Sequence, residues 1–253
     1  MNNDTFVTLE IRGHAALVRF NRPEQLNAMN SRMIAQLCDA LVAADAEAGV
    51  KVIVLGGHGS SFMAGADIKE YAALTEDTFA DFQRRGARVY ALIEQSPKLV
   101  VAAVNGYALG GGFEIALASD LIVAHAEAKL GLPEIRLGLL PGGGGTQRLM
   151  RKLPANRALE LLVTGAARTA EQWHDWGVVN VVSEGDAVEA AIGWCQRFAE
   201  ASPEALAHAK RLTRAARDLP FADGLAQEYE ALRELHRTPY AKARIDEFAR
   251  RGS

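Results

Sequence analysis

The sequence predicts an α/β fold: strands alternate with helices over residues 1–185, and a helical region fills residues 186–253. Three observations lead there. Apolar runs of strand length alternate with stretches whose apolar residues recur at helical spacing. Glycine clusters fall where strands pass into helices, as crossovers between parallel strands require. After Gly145 the strand-like character almost vanishes. The composition, 49% hydrophobic and 23% charged over 253 residues, is that of an ordinary globular protein and excludes disorder, collagen and coiled coil.

In chain order, residues 6–11 and 15–20 read as two strands joined by Arg12-Gly13-His14, an N-terminal hairpin. Residues 31–46 place Met33, Ile34, Leu37, Leu41 and Val42 at helical spacing, with Ser31 as the expected cap. Residues 50–55 form a continuous apolar run, the mark of a strand covered on both faces. The rhythm repeats with a helix over 75–95, a strand over 98–104, a helix over 111–118 and a strand over 120–126. Residues 178–182 are the only later segment that reads as a strand. Amphipathic runs over 187–201, 203–218, 221–237 and 239–251, separated by Pro- or Gly-containing turns, make up the helical region. Its exposed Arg and Glu suit either a solvated surface or a subunit contact.

Twenty-eight Lys and Arg against 31 Asp and Glu leave a formal charge of −3, so there is no basic field to hold nucleic acid or anionic lipid. Cys38 and Cys195 sit in apolar helical patterns without metal or redox spacing and are expected to be reduced and packed. Residues 1–10 carry two acids and no basic segment, so no signal peptide is expected. No run is long and apolar enough for a membrane span, and the cytoplasm is the expected location.

Three glycine clusters stand out: Gly56-Gly57-His58-Gly59, Gly110-Gly111-Gly112 and Gly142-Gly143-Gly144-Gly145. Glycines at such junctions let backbone N–H groups approach a ligand, and a helix N-terminus adds about half a positive charge. None of the three is a phosphate loop or opens a dinucleotide-binding unit, and no Gly-x-Ser-x-Gly elbow offers a serine nucleophile. The six histidines lack ligand spacing, so no metal is expected. Two acids remain in glycine- and proline-rich surroundings. Glu114 lies in the first turn of a helix, where the macrodipole alone would favour it, and its neighbours Phe113, Ile115, Ala116 and Leu117 offer a setting that raises its pKa. Glu134, after Pro133, reads equally as a loop acid.

Four segments in register, residues 61–70, 103–114, 133–134 and 141–148, closely resemble the crotonase superfamily, and enoyl-CoA hydratase most of all. They read Ser-Phe-Met-Ala-Gly-Ala-Asp-Ile-Lys-Glu, Ala-Val-Asn-Gly-Tyr-Ala-Leu-Gly-Gly-Gly-Phe-Glu, Pro-Glu and Pro-Gly-Gly-Gly-Gly-Thr-Gln-Arg. The resemblance covers roughly residues 5–250 and implies a crotonase-like ββα spiral core, with a C-terminal helical region used for oligomerisation as a trimer or a dimer of trimers.

It further implies hydration of a trans-2-enoyl-CoA. The N–H groups of Ala66 and Gly111 would form an oxyanion hole for the thioester carbonyl, where negative charge grows on the way to an enolate. Glu114 and Glu134 would be the catalytic pair around one water, with Glu114 as base and Glu134 as proton donor to C2. Coenzyme A, as part of the substrate, would lie against Arg22, Leu26 and Ala28 and against Ala64, Asp67, Ile68 and Lys69, with Arg22 and Lys69 offered to its phosphates. Leu109, Pro133, Tyr107, Phe113 and Leu137 would wall the acyl pocket, and Gly142 would lie near the water. No separate cofactor, metal, membrane or nucleic-acid partner is implied. The alternatives are a Δ3,Δ2-enoyl-CoA isomerase on the same fold, needing one carboxylate, and an RNA-binding member using Lys210, Arg211, Arg214 and Arg217. The chain departs from the C-terminal signature of many hydratases at residues 237–248, where Lys242 and Phe248 are the expected substitutes.

Overall fold

The computed structural model describes residues 5–251; the first four residues of the segment expected to lack a signal peptide lie outside it. Two sheets organise the chain. Strands β1 (Val7–Arg12), β2 (Ala15–Phe20), β3 (Val52–Gly57), β5 (Leu99–Val104), β7 (Leu121–His125) and β10 (Val181–Ser183) form a sheet in the order β1-β2-β3-β5-β7-β10. Only the β1/β2 hairpin is antiparallel in it. Strands β4 (Ser61–Met63), β6 (Tyr107–Leu109), β8 (Lys129–Gly131) and β9 (Arg168–Thr169) form a smaller one in the order β4-β6-β8-β9. The pairs β3/β4, β5/β6 and β7/β8 each send their first strand to the large sheet and their second to the small one, and helical structure follows each pair. This is the ββα spiral that the resemblance implies.

The apolar runs are continuous because both faces of the large sheet are covered. Ile53, Leu55, Val100, Ala102 and Val104 join the main core with helices α1 (Ser31–Ala46), α3 (Glu76–Gln95) and α4 (Gly111–Ala118). The alternate residues Val52, Val54, Val101 and Ala103 pack against Val188, Ala191 and Cys195 of α8 (Ala187–Cys195). Thus the first helix beyond residue 185 closes the sheet. Helices α9 (Pro203–Ala215), α10 (Phe221–Arg237) and α11 (Pro239–Arg251) follow; α11 buries no residue.

Several local readings shift. The cap of α1 is Asn30, not Ser31: its side chain accepts the Met33 N–H at 2.9 Å. Residues 68–72 form a separate short helix, α2 (Ile68–Ala72), capped by Asp67, before Thr75 caps α3. Val178 and Val179 are buried in the turn after α7 (Ala170–Asp175), where both N–H groups donate to the Trp173 carbonyl, and the strand begins only at Val181. Helix α8 stops at Cys195 and tightens into a 3-10 turn over Gln196–Phe198. Two further helices, α5 (Gly145–Met150) and α6 (Ala155–Thr164), lie between the third glycine cluster and β9.

Asp120 ties α9 to this framework. One carboxylate oxygen accepts the Val100 N–H at 2.8 Å and the buried Lys210 ammonium at 2.9 Å, and the other accepts Arg214 at 2.8 Å. Asp120→Ala strands a buried charge and should cost about 3–5 kcal/mol, read as a lower urea midpoint. Adding Lys210→Met should recover part of that loss; if Asp120→Ala leaves the midpoint unchanged, the pair is not structural.

Candidate active site

The site is built where the short strands deliver the chain into helices. At the end of β6 the N–H of Gly110 donates to the Gly131 carbonyl at 2.9 Å, and the backbone turns into α4 at φ 52°, ψ −124°. That conformation belongs to glycine. A Cβ here would also stand 3.0 Å from Glu134 Oε1. One turn later Glu114 is 3% exposed inside an otherwise apolar helix. Its Oε1 accepts the N–H groups of Gly143 at 2.8 Å and Gly145 at 2.7 Å, while the Tyr90 hydroxyl lies 3.5 Å from Oε2. The Gly142–Gly145 cluster therefore cradles an anion, and that anion is the protein's own carboxylate.

Glu134 opens a 3-10 turn, Glu134–Leu137, directly after Pro133. Its Oε2 is buried and has no hydrogen-bond partner among the described residues. Burial, with the negative charge of Glu114 adding to it, pushes the Glu134 carboxyl up to about 7. Burial raises Glu114 as well, but the Gly145 and Gly143 N–H groups and the Arg148 charge pull the other way. The two acids share one cavity of about 350 Å³. At pH 7 Glu134 is therefore about half-protonated, while Glu114 has donors that favour its charged form.

Two backbone amides face the same space. A parallel bridge pairs Met29 with Ala66 through the Gly65 carbonyl and the Asp67 N–H, which leaves the Ala66 N–H on the opposite side of the chain. Gly111 is the first residue of α4, where N–H groups have no partner within the helix. Among the described residues neither amide donates to a protein acceptor, and both residues line the cavity.

Of the residues named from the sequence, Ala64, Ala66, Ile68, Gly111, Glu114, Pro133, Glu134, Leu137 and Gly142 line this cavity. Leu109, half-buried in β6, does not, and neither do Tyr107, exposed on the same strand, nor Phe113, which packs on Trp173. Lys242 and Phe248 on α11 are also outside it. Arg22 corrects its expected role at a phosphate. It is 5% exposed, and its guanidinium donates to the Ala28 carbonyl at 2.5 Å, to Gln25 and to Asp67 at 3.0 Å. Arg22 and Asp67 thus lock the 22–28 loop, in which Leu26 is exposed and Asn27 is pinned by bonds to the His58 and Ser61 carbonyls. Lys69 is exposed, with its side chain free to reach solvent.

Sequence reasoning missed the opposite wall, where Phe82, Gly86 and Tyr90 of α3 join Met29, Tyr71 and Leu140. The signal was present, since residues 82, 86 and 90 share one helical face.

The chain matches the family described as Enoyl-CoA hydratase/isomerase over residues 10–253. It is 39% identical to a 2,3-dehydroadipyl-CoA hydratase of Escherichia coli across 84% of this chain and 83% of that one. It is 35% identical to a probable enoyl-CoA hydratase of Bacillus subtilis across 96% and 95%. Among solved structures it superposes on an enoyl-CoA hydratase from Bacillus anthracis with a TM-score of 0.93 at 32% identity, covering 98% of this chain and 97% of that one. The enoyl-CoA hydratase from Mycobacterium tuberculosis gives a TM-score of 0.86 at 36% identity, with 97% and 96% covered.

Because the folded state favours the protonated form of Glu134, its contribution to stability is present at low pH and is lost as pH rises from the ordinary carboxylate value through about 7. Glu134→Gln should therefore be more stable than wild type at pH 8, with the gap closing towards pH 4 in denaturant melts. In carbon-13 spectra of labelled glutamate, one carboxyl should titrate near 7, vanish in Glu134→Gln and move down in Glu114→Gln. A Glu134 signal titrating at the ordinary value would refute the electrostatic picture.

Proposed function

Since the chain belongs to the enoyl-CoA hydratase/isomerase family and is an enzyme of the hydro-lyase type, we propose that it adds water syn across the double bond of a trans-2-enoyl-CoA to give a 3-hydroxyacyl-CoA. The observation that carries this reading is the pairing in a single cavity of a carboxyl raised to about 7 with one held by two backbone N–H groups, beside two unspent amides. The thioester oxygen accepts the Ala66 and Gly111 N–H groups, so the charge that develops there is met by fixed dipoles worth about 3 kcal/mol apiece. Glu114 takes a proton from the water as its oxygen bonds to C3. Glu134 gives its proton to C2 as the double-bond electrons move there. The product carries both elements of water on one face, and the reverse reaction exchanges the two roles.

Coenzyme A is part of the substrate and no separate cofactor is needed. Its pantetheine runs past Leu26, Ala28, Ala64, Ile68 and Leu109, and Lys69 is the cation offered to its phosphates once Arg22 is committed to the loop. The acyl chain enters between Tyr71, Phe82, Pro133, Leu137 and Leu140, and Gly142 flanks the water. Isomerisation needs only one placed carboxylate, so a cavity holding both favours hydration. An RNA-binding face draws no support from α9, because Lys210 and Arg214 turn inward to Asp120. Phe221, Leu232 and Phe248 leave large apolar surfaces on α10 and α11, which suit trimer contacts or a dimer of trimers. No helix among the described residues is long and apolar enough to cross a membrane, and the proposed setting is acyl-chain degradation in the cytoplasm.

With crotonyl-CoA the absorbance of the conjugated thioester should fall on adding enzyme, and no fall would refute hydration. Glu134→Gln should lower kcat by about 100-fold or more with KM little changed, because the amide keeps the shape but has no proton to transfer. The hydration rate should decline as pH rises through about 7, the range in which Glu134 loses its proton. A rate that climbs through that range would reverse the roles assigned to the two acids.

A further inference from the structure

Helix α9 carries a basic run that the reaction does not use, and the fold turns much of it into an interior. Two adjoining cavities, of about 250 Å³ and 480 Å³, separate α9 from the C-terminal end of α4 and from α5. Lys152, Lys210, Arg214 and Arg217 line the first; Arg148, Arg151, Arg214 and Arg217 line the second. Three acids face these six cations, and each is already engaged. Asp120 holds Lys210, Arg214 and the Val100 N–H. Glu94 holds Arg148 at 2.8 Å and Arg214 at 3.3 Å, and Asp218 holds Arg151 at 3.1 Å. Lys152, half-buried, and Arg217, at the rim, line one cavity, and among the described residues neither has a side-chain hydrogen bond or ion pair.

From this surplus we propose that the cavity between α4, α5 and α9 binds a small dianion of the phosphate class, held by Lys152 and Arg217. A fold does not gain by half-burying an ammonium beside like charges; a bound anion removes that cost. Burial and the charges of Arg217 and Arg214 push Lys152 down to about 8, outweighing the opposing charge of Asp120, which is already paired with Lys210 and Arg214. The Thr213 and Ser119 hydroxyls on the same wall already donate to the Ala209 and Ile115 carbonyls, so the two cations are what meets the anion. The cavity lies apart from the hydration site: the two share no lining residue. Free phosphate and the phosphate of an ester present the same chemistry, so both serve as probes.

Inorganic phosphate, glycerol 3-phosphate and chloride at matched ionic strength should be titrated into the intact protein with the melting temperature as the readout. The expected result is a saturable rise for phosphate, for the ester or for both, with none for chloride. Saturation by free phosphate assigns an ion site, and saturation by the ester alone assigns a phosphorylated metabolite. Lys152→Gln and Arg217→Gln should each weaken the binding by about tenfold, the loss expected for one charge-assisted contact. Crotonyl-CoA turnover without phosphate should match wild type, which shows that both variants are folded. Equal responses to phosphate and chloride, or saturation unaltered in both variants, would overturn the proposal. So would the absence of any response because a neighbouring subunit's carboxylate fills the cavity.

Discussion

The site rests on one interaction, the two backbone N–H bonds from Gly143 and Gly145 to Glu114 Oε1. They join the first turn of α4 to the loop that starts α5, two stretches about thirty residues apart in sequence. A carboxylate on a helix that is otherwise wholly apolar would ordinarily take up a proton. Two amides aimed at one of its oxygens oppose that shift and favour the charged form, and the same bonds set the roof of the cavity. Charge and shape are therefore fixed together.

Glu134 shows what happens without such donors. It is less buried than Glu114, yet burial, with the Glu114 charge adding to it, raises it to about 7, and one of its oxygens has no hydrogen-bond partner to offset that cost. The difference between the two residues is thus in their hydrogen bonds and not in depth. The pair also has a hierarchy. Burial is the main cost of ionising Glu134 and negative charge on Glu114 adds to it, so the glycine amides that favour that charge also help Glu134 to keep its proton.

The sequence made the large sheet legible because its strands are covered on both faces and therefore read as unbroken apolar runs. The small sheet was not legible. Strands β4, β6 and β8 are three residues each, too short for any period, and only the resemblance implied them. The same contrast holds at the site. Glu114 and Glu134 stood out through their glycine and proline surroundings and the resemblance alone pointed to the Ala66 and Gly111 amides, whereas Tyr90 hid in an amphipathic helix where an aromatic residue looks like ordinary core. A sequence shows a charge but not its direction: the surface loop that exposes Leu26 at φ 50° is held from beneath by the buried Arg22 guanidinium, which donates to the Ala28 carbonyl and to Asp67.

Arg148 shows how far support for the catalytic pair extends beneath the cavity. Its guanidinium stacks over the Tyr90 ring with 5.2 Å to the centroid, donates to the Gly143 carbonyl and pairs with Glu94 at 2.8 Å. It thereby holds both groups that touch Glu114, the tyrosine on one oxygen and the glycine loop on the other, while its charge opposes the desolvation of that carboxylate. A lysine could supply the charge but not a planar surface against the ring together with a forked set of donors. Glu94 also accepts Arg214, so the support for the reacting carboxylates merges with the cationic cavity on α9. Arg148, which ends the catalytic network on one side, lines the cavity that adjoins the proposed anion site on the other, and Arg214 and Arg217 line both.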